Sequence, residues 1–216
     1  MPQSRSAGKP PANSKAISSP QIERSLAKLC PILGKVIRKV GPCPLTRSTG
    51  GFDIVCRMIV FQQLSGKAAN TIWERFRELC PSKKVTPQAI EKVTDQQMRE
   101  AGLSRQKIGY IRNLVSHVND GSLVFVKLTK MSDQEVADHL TQVKGIGQWT
   151  AEMYLMFVLG RPDIFSAGDL GLRTAVKKIY GPKRKNFDYA KFAQRWSPHR
   201  TVASWYLWRS LENGNS

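Results

Sequence analysis

The chain has 216 residues, enough for one sizeable core or two small lobes. Its hydrophobic content is 41%, and no apolar run approaches the ~20 residues of a membrane span. With 34 Lys and Arg against 16 Asp and Glu, the net charge of +18 favours polyanionic partners: a nucleic acid, or a ribosomal or membrane surface.

Residues 1–19 are rich in Ser, Pro, Ala and Lys and carry no acid. They have no apolar h-region and so do not form a secretory signal. They read as a disordered basic tail, and the acid-free, Ser-containing start also fits a transit peptide. Residues 21–40 are apolar-periodic, with Pro31 at the first turn of a second helix. Gly41-Pro42-Cys43-Pro44 breaks the pattern, and Gly50-Gly51 precedes the next helix.

Phe52–Ser65 is nearly all apolar until Gln62-Gln63, as for a buried helix whose end emerges at a polar surface. Gly66 breaks it, and Lys67–Cys80 is amphipathic. Thr86-Pro87 and Thr94-Asp95 each resemble an N-cap of a short helix. Arg105–Val118 gathers Ile108, Ile111, Leu114, Val115 and Val118 on one face. Arg105, Lys107 and Arg112 lie on the other, which is a phosphate contact or simply a solvated face. His117 reads as a surface histidine. Leu123–Val126 could be a strand but finds no partner segment, so an extended linker is expected.

Ser132-Asp133-Gln134-Glu135 has the form of a capping box and starts a helix to about Thr141. Val143-Lys144-Gly145-Ile146-Gly147 follows, and Trp149–Phe157 is again apolar with helical spacing. Two glycines one residue apart can take positive φ and leave no side chain in the way. A phosphate could then approach the unsatisfied N–H groups opening the second helix. Asp169 begins a helix over Leu170–Ile179, stopped by Tyr180-Gly181-Pro182. Lys183-Arg184-Lys185 is a basic loop. Phe187–Trp196 and Thr201–Leu211 complete a helical set with no long β alternation.

The run V-K-G-I-G-Q-W-T-A over residues 143–151, followed by Asp169 in a short loop, resembles the helix–hairpin–helix DNA glycosylases. More narrowly it is similar to the 3-methyladenine DNA glycosylase II family. Val60–Ser65 resembles that family's Gln-rich segment. Trp196–Thr201 with Trp205–Trp208 resembles its C-terminal segment. The resemblance spans roughly residues 20–212; the glycosylase domain is set at 20–213 and the hairpin at about 132–160. It implies an all-α, two-lobed fold with an active-site cleft between lobes.

The same resemblance implies the chemistry. Asp169 would be the catalytic carboxylate, although read bare it is also what a helix N-cap requires. Breaking an N-glycosidic bond develops positive charge at the anomeric carbon. A fixed anion stabilises that charge and orients the attacking water. Glycosidases usually use a second carboxyl as acid. A cationic leaving base, such as 3-methyladenine or 7-methylguanine, needs less acid catalysis. Trp149 stands where bifunctional relatives carry the Schiff-base lysine, so lyase action is not expected. Its indole suits stacking on a cationic base, or helix packing.

Met153 and His199 would wall the base pocket. Gln63, with Gln62 beside it, would fill the gap left by the flipped nucleotide, or the two would simply cap a helix. Gly145, Gly147, Lys144, Gln148 and Thr150 would grip phosphate. Carbonyls of Thr141, Val143 and Ile146 would hold a structural Na+ or K+, with no cofactor required. The partner would be duplex DNA with alkylated bases, bound by a monomer inside the cell, in a bacterial cytoplasm or nucleoid or in a eukaryotic nucleus. A non-catalytic binder of abasic or distorted DNA is the alternative. The chain departs from the family by Gly168 where many relatives have a second acid, by His199 in place of an aromatic, and by Met153 in place of a tyrosine. Cys30, Cys43, Cys56 and Cys80 include no Cys-x-x-Cys pair, which speaks against zinc and for reduced thiols. None lies at the C-terminal end, unlike the iron–sulfur branch of the superfamily.

Overall fold

The computed structural model describes residues 16–48, 50–64, 66–181 and 186–212. Among these the regular elements are helical: α1 (Pro20–Leu29), α2 (Pro31–Val40), α3 (Phe52–Phe61), α4 (Gly66–Glu78), α5 (Pro87–Glu91), α6 (Asp95–Glu100), α7 (Arg105–Asn119), α8 (Phe125–Leu128), α9 (Asp133–Thr141), α10 (Gln148–Tyr154), α11 (Leu170–Tyr180), α12 (Tyr189–Ala193) and α13 (Arg200–Glu212). Short 3₁₀ turns follow α4 and α12, and a π-helical segment, Leu155–Leu159, follows α10. No described helix is long and apolar enough to cross a membrane.

The chain divides into two compact units. One holds residues 50–154 and the other residues 16–48 and 155–212, counting described residues only. The first is built around α7, whose buried Ile108, Ile111 and Leu114 face α3, α5 and α6. Arg112 staples this packing. Its guanidinium donates to Asp95 Oδ1 at 2.9 and 2.7 Å and to the carbonyls of Ile90 and Val93. Ile90 lies in the last turn of α5 and Val93 just past its end, where a cation suits the carbonyls that close a helix. Arg112 is therefore committed inside the unit and does not form the phosphate-facing surface its position on the polar face allowed.

The expected extended linker is extended only at its start, at Val124. Phe125 opens α8, with Leu123 and Leu128 each 1% exposed. The Phe125 ring lies against Gly51, where an added Cβ would come within 2.6 Å of it. With no strand among the described residues to pair with, the chain takes a helical turn that buries Leu123 and Leu128 and leaves Val126 73% exposed.

In the second unit α2 and α11 both pack on α13. Pro31 is at the first turn of α2, as expected from the sequence. The last residues assigned to the expected tail of residues 1–19 belong to the folded unit. Ile17 is buried and donates its N–H to the Leu45 carbonyl at 2.9 Å, and Ser19 caps α1 through Ile22 N–H. Ser-Ser-Pro looks like tail composition, but here Ser19 is an N-cap and Pro20 opens the helix. Residues 1–15, Ser65, Pro182 and the basic run Lys183-Arg184-Lys185 lie outside the described residues.

Candidate functional site

The hairpin is made by two local signals. Ser132 and Glu135 form the expected capping box at the start of α9. Gly145 then takes φ of +87°, which reverses the chain between α9 and α10. Gly147 does not enter the left-handed region, so the two glycines act differently. A Cβ on Gly145 would fall 2.1 Å from Tyr110 Cδ2, whereas one on Gly147 would meet nothing within 4 Å. Gly145 lets the turn seat on α7, and Gly147 keeps the approach to the α10 N-terminus open.

Val143 and Ile146 are buried and fix the turn from inside, with Ile146 N–H donating to the Val143 carbonyl at 3.0 Å. Lys144 is exposed, and its N–H is held by Asn113 Oδ1 at 2.7 Å. Gln148 is exposed and bonds Glu152. Thr141 is exposed and back-bonds the Ala137 carbonyl. Trp149 is 38% exposed, unusually open for so large an aromatic. Thr150 and Met153 are buried, at 5% and 2% exposure. Only the Thr150 backbone could therefore meet a phosphate at the helix opening, and Met153 sits in the packed interior.

The Gln-rich segment lies in the same unit. α3 ends at Phe61, and Gln62 is its C-cap. The Gln62 amide donates to the Gly145 carbonyl at 2.8 Å. Gln63 is exposed with φ of +54°, a left-handed conformation that costs a non-glycine residue energy. Lys107 Nζ donates to the carbonyls of Val60 and Gln62 at 2.7 and 2.8 Å. Burial lowers the pKa of this ammonium. Lys107, Tyr110 and Asn113 thus form one stripe of α7 that carries both the Gln loop and the hairpin turn. From the sequence Lys107 was a phosphate contact or part of a solvated face, and Tyr110 and Asn113 were not singled out. Their spacing of three residues was the available signal.

Asp169 lies in the other unit. It is the N-cap of α11, its Oδ1 accepting from Leu172 N–H at 2.7 Å. The same oxygen accepts from Trp208 Nε1 at 2.9 Å. Gly171 makes this reach possible: its Cβ would come 3.1 Å from both Asp169 Oδ1 and Trp208 Cδ1. The loop before Asp169 is stitched to the start of α13. Asp163 accepts two bonds from the Arg200 guanidinium, at 2.8 and 3.0 Å, one from Arg200 N–H and one from Ser197 Oγ. Burial pushes the Asp163 carboxyl up, but the Arg200 and Ser197 bonds outweigh it and hold the pKa below its usual value. Thr201 Oγ1 bonds the Arg161 carbonyl and accepts from Ile164 N–H. His199 is partly buried on this segment, its N–H on the Trp196 carbonyl at 2.8 Å. Asp163 and Trp208 were missed as supports for Asp169, because partners 34 to 39 residues apart leave no local pattern.

The described residues thus present a fixed carboxylate at a helix N-terminus and a glycine hairpin opening a second helix. The model of the HhH-GPD superfamily of base excision DNA repair proteins matches residues 56–198. The alkylbase DNA glycosidase-like protein mag2 of Schizosaccharomyces pombe is 31% identical over 194 residues, covering 87% of this chain and 91% of its own. A crystallised DNA-3-methyladenine glycosidase from Bacillus halodurans is 36% identical with a TM-score of 0.78, covering 91% of each chain. The 3-methyladenine DNA glycosylase Mag1 of Schizosaccharomyces pombe, solved in complex with abasic DNA, is 30% identical with a TM-score of 0.82. That match covers 91% of this chain and 98% of Mag1. The chain belongs to the HhH-GPD superfamily of base excision DNA repair proteins.

Proposed function

We propose that the protein is a monofunctional DNA glycosylase. It hydrolyses the N-glycosidic bond of alkylated purines, of the 3-methyladenine and 7-methylguanine type, in duplex DNA. This leaves an abasic site and opens base excision repair. The observation that carries the reading is the double anchoring of Asp169 Oδ1 by Leu172 N–H and Trp208 Nε1 in a chain of this family. Two N–H donors hold the carboxylate before any substrate arrives, so little reorganisation is left to the reaction.

The bond between C1′ and the purine nitrogen breaks with its electron pair going to the base. The sugar becomes an oxocarbenium ion, which the Asp169 carboxylate stabilises. The same side chain orients the water that adds to C1′ and takes up its proton. A base already cationic by alkylation leaves as a neutral purine, so no acid is needed. Trp149 offers a stacking face to that cationic ring. As a tryptophan it forms no Schiff base, which makes the enzyme a hydrolase without lyase action. Gln63 fills the space of the flipped nucleotide, and Gly147, Lys144 and the α10 N-terminus hold a phosphate.

The hairpin carbonyls of Thr141, Val143 and Ile146 are hard, neutral oxygen donors in a turn whose Val143 carbonyl is already pinned by Ile146 N–H. That donor set suits Na+ or K+, which would supply positive charge to the phosphate grip. The enzyme acts as a monomer.

The test is base release from methylated duplex DNA by wild type and Asp169→Asn, with alkali heating to reveal abasic sites. Wild type gives strand breaks after alkali, and the variant loses at least about a hundredfold of the rate. Equal yields from both would remove Asp169 from catalysis. No release, with tight binding to abasic duplex, would make the protein a damage binder. Covalent trapping on DNA by borohydride would reinstate lyase chemistry.

A further inference from the structure

The sequence presents Gln62 and Gln63 as a pair, but the structure gives them different work. Gln62 turns its amide inward, onto the Gly145 carbonyl at 2.8 Å, in the middle of the hairpin turn. Gln63 turns outward, at the positive φ that follows. Beneath them Lys107 ties the carbonyls of Val60 and Gln62, at the end of α3, to α7. From the same face of α7, Tyr110 packs on Gly145 and Asn113 Oδ1 accepts Lys144 N–H. The Gln loop and the phosphate-gripping turn are thus joined directly, by Gln62, and through a shared floor.

We propose that Gln62 is a positioning residue that sets the register of Gln63 against the hairpin, with Lys107 as its support. A phosphate seated at the hairpin then fixes where Gln63 enters the duplex. The proposal rests on the reading of Gln63 as the residue that fills the gap. It removes Gln62 from the group that touches DNA. At this position the side chain must donate: an oxygen lone pair facing the Gly145 carbonyl would repel it, and the amide N–H satisfies it.

The experiment uses the full chain and a duplex carrying one tetrahydrofuran abasic-site analogue beside 2-aminopurine. The analogue has no base to release, so the readout is independent of catalysis. Wild type raises 2-aminopurine fluorescence as the neighbouring stack opens. Gln62→Met, matched in length but without a donor, binds undamaged duplex within about twofold of wild type. It loses about tenfold on the abasic duplex together with most of the fluorescence rise. Gln62→Ala repeats this, and thermal melting verifies that both variants are folded. Lys107→Arg keeps the rise and Lys107→Met loses it.

A full rise with Gln62→Met and Gln62→Ala overturns the proposal. So does equal weakening on both duplexes, which would make Gln62 a plain DNA contact. If Gln63→Ala alone abolishes the rise, the gap-filling reading stands and only this inference fails. If wild type itself gives no rise, the gap-filling reading falls first.

Discussion

Trp208 Nε1 donates to Asp169 Oδ1 at 2.9 Å, across 39 residues of sequence. The oxygen it holds is the one that Leu172 N–H also holds at 2.7 Å. A carboxylate anchored by its own helix alone could still swing about its side-chain torsions. The indole, itself only 6% exposed and packed near Phe157, removes that freedom.

Trp208→Phe keeps most of the packing and deletes the donor. Its expected effect is a fall in kcat of about 10–100-fold with KM little changed, since the bond matters for orientation. Stability should drop by only about 1–3 kcal/mol. Gly171→Ala is the sharper companion. Alanine favours a helix by about 1 kcal/mol, yet its Cβ would crowd both Asp169 and Trp208 at 3.1 Å. Near-normal melting with reduced base release is the expected pair of results.

The two hairpin glycines should separate in mutagenesis. Gly145→Ala combines a positive φ with overlap on the Tyr110 ring and should cost about 2–4 kcal/mol in denaturant unfolding. Gly147→Ala meets no neighbour and should unfold within about 1 kcal/mol of wild type. Its affinity for duplex DNA should fall about tenfold, because the methyl group stands in the ligand's approach.

Acid should loosen the loop that leads to Asp169. The Asp163 pKa is held below its ordinary value, so its stabilisation is present above the unfolded-state pKa of about 3.9. It is lost as pH falls through the lower folded-state pKa. Asp163→Asn should destabilise the protein by about 1–3 kcal/mol at neutral pH, and the gap from wild type should close below about pH 4. Thermal melts over an acid pH series test this.

With a net charge of +18, affinity for undamaged duplex should fall steeply with salt. Each neutralised phosphate contributes about −0.9 to the slope of log affinity against log salt. The exposed Lys144, seated by Asn113, should carry one of these contacts. Lys144→Ala should lower the magnitude of the slope by about one in fluorescence anisotropy titrations.

Much of this protein was legible before any coordinates. The Ser132–Glu135 capping box, the Gly145 turn, the Pro31 helix start and the Asp169 N-cap all arise from interactions within about four residues, which a linear chain displays directly. The all-helical class followed from the spacing of apolar residues. Tertiary structure decided the rest. It turned Arg112 and Lys107 from surface cations into staples for helix-end carbonyls. It folded Phe125 into a helical turn over Gly51, and it split Gln62 from Gln63. It brought Trp208 to Asp169. Local backbone bonding is written in neighbouring residues; the partner of a long polar side chain depends on which distant carbonyl or carboxylate the packed helices leave within its reach.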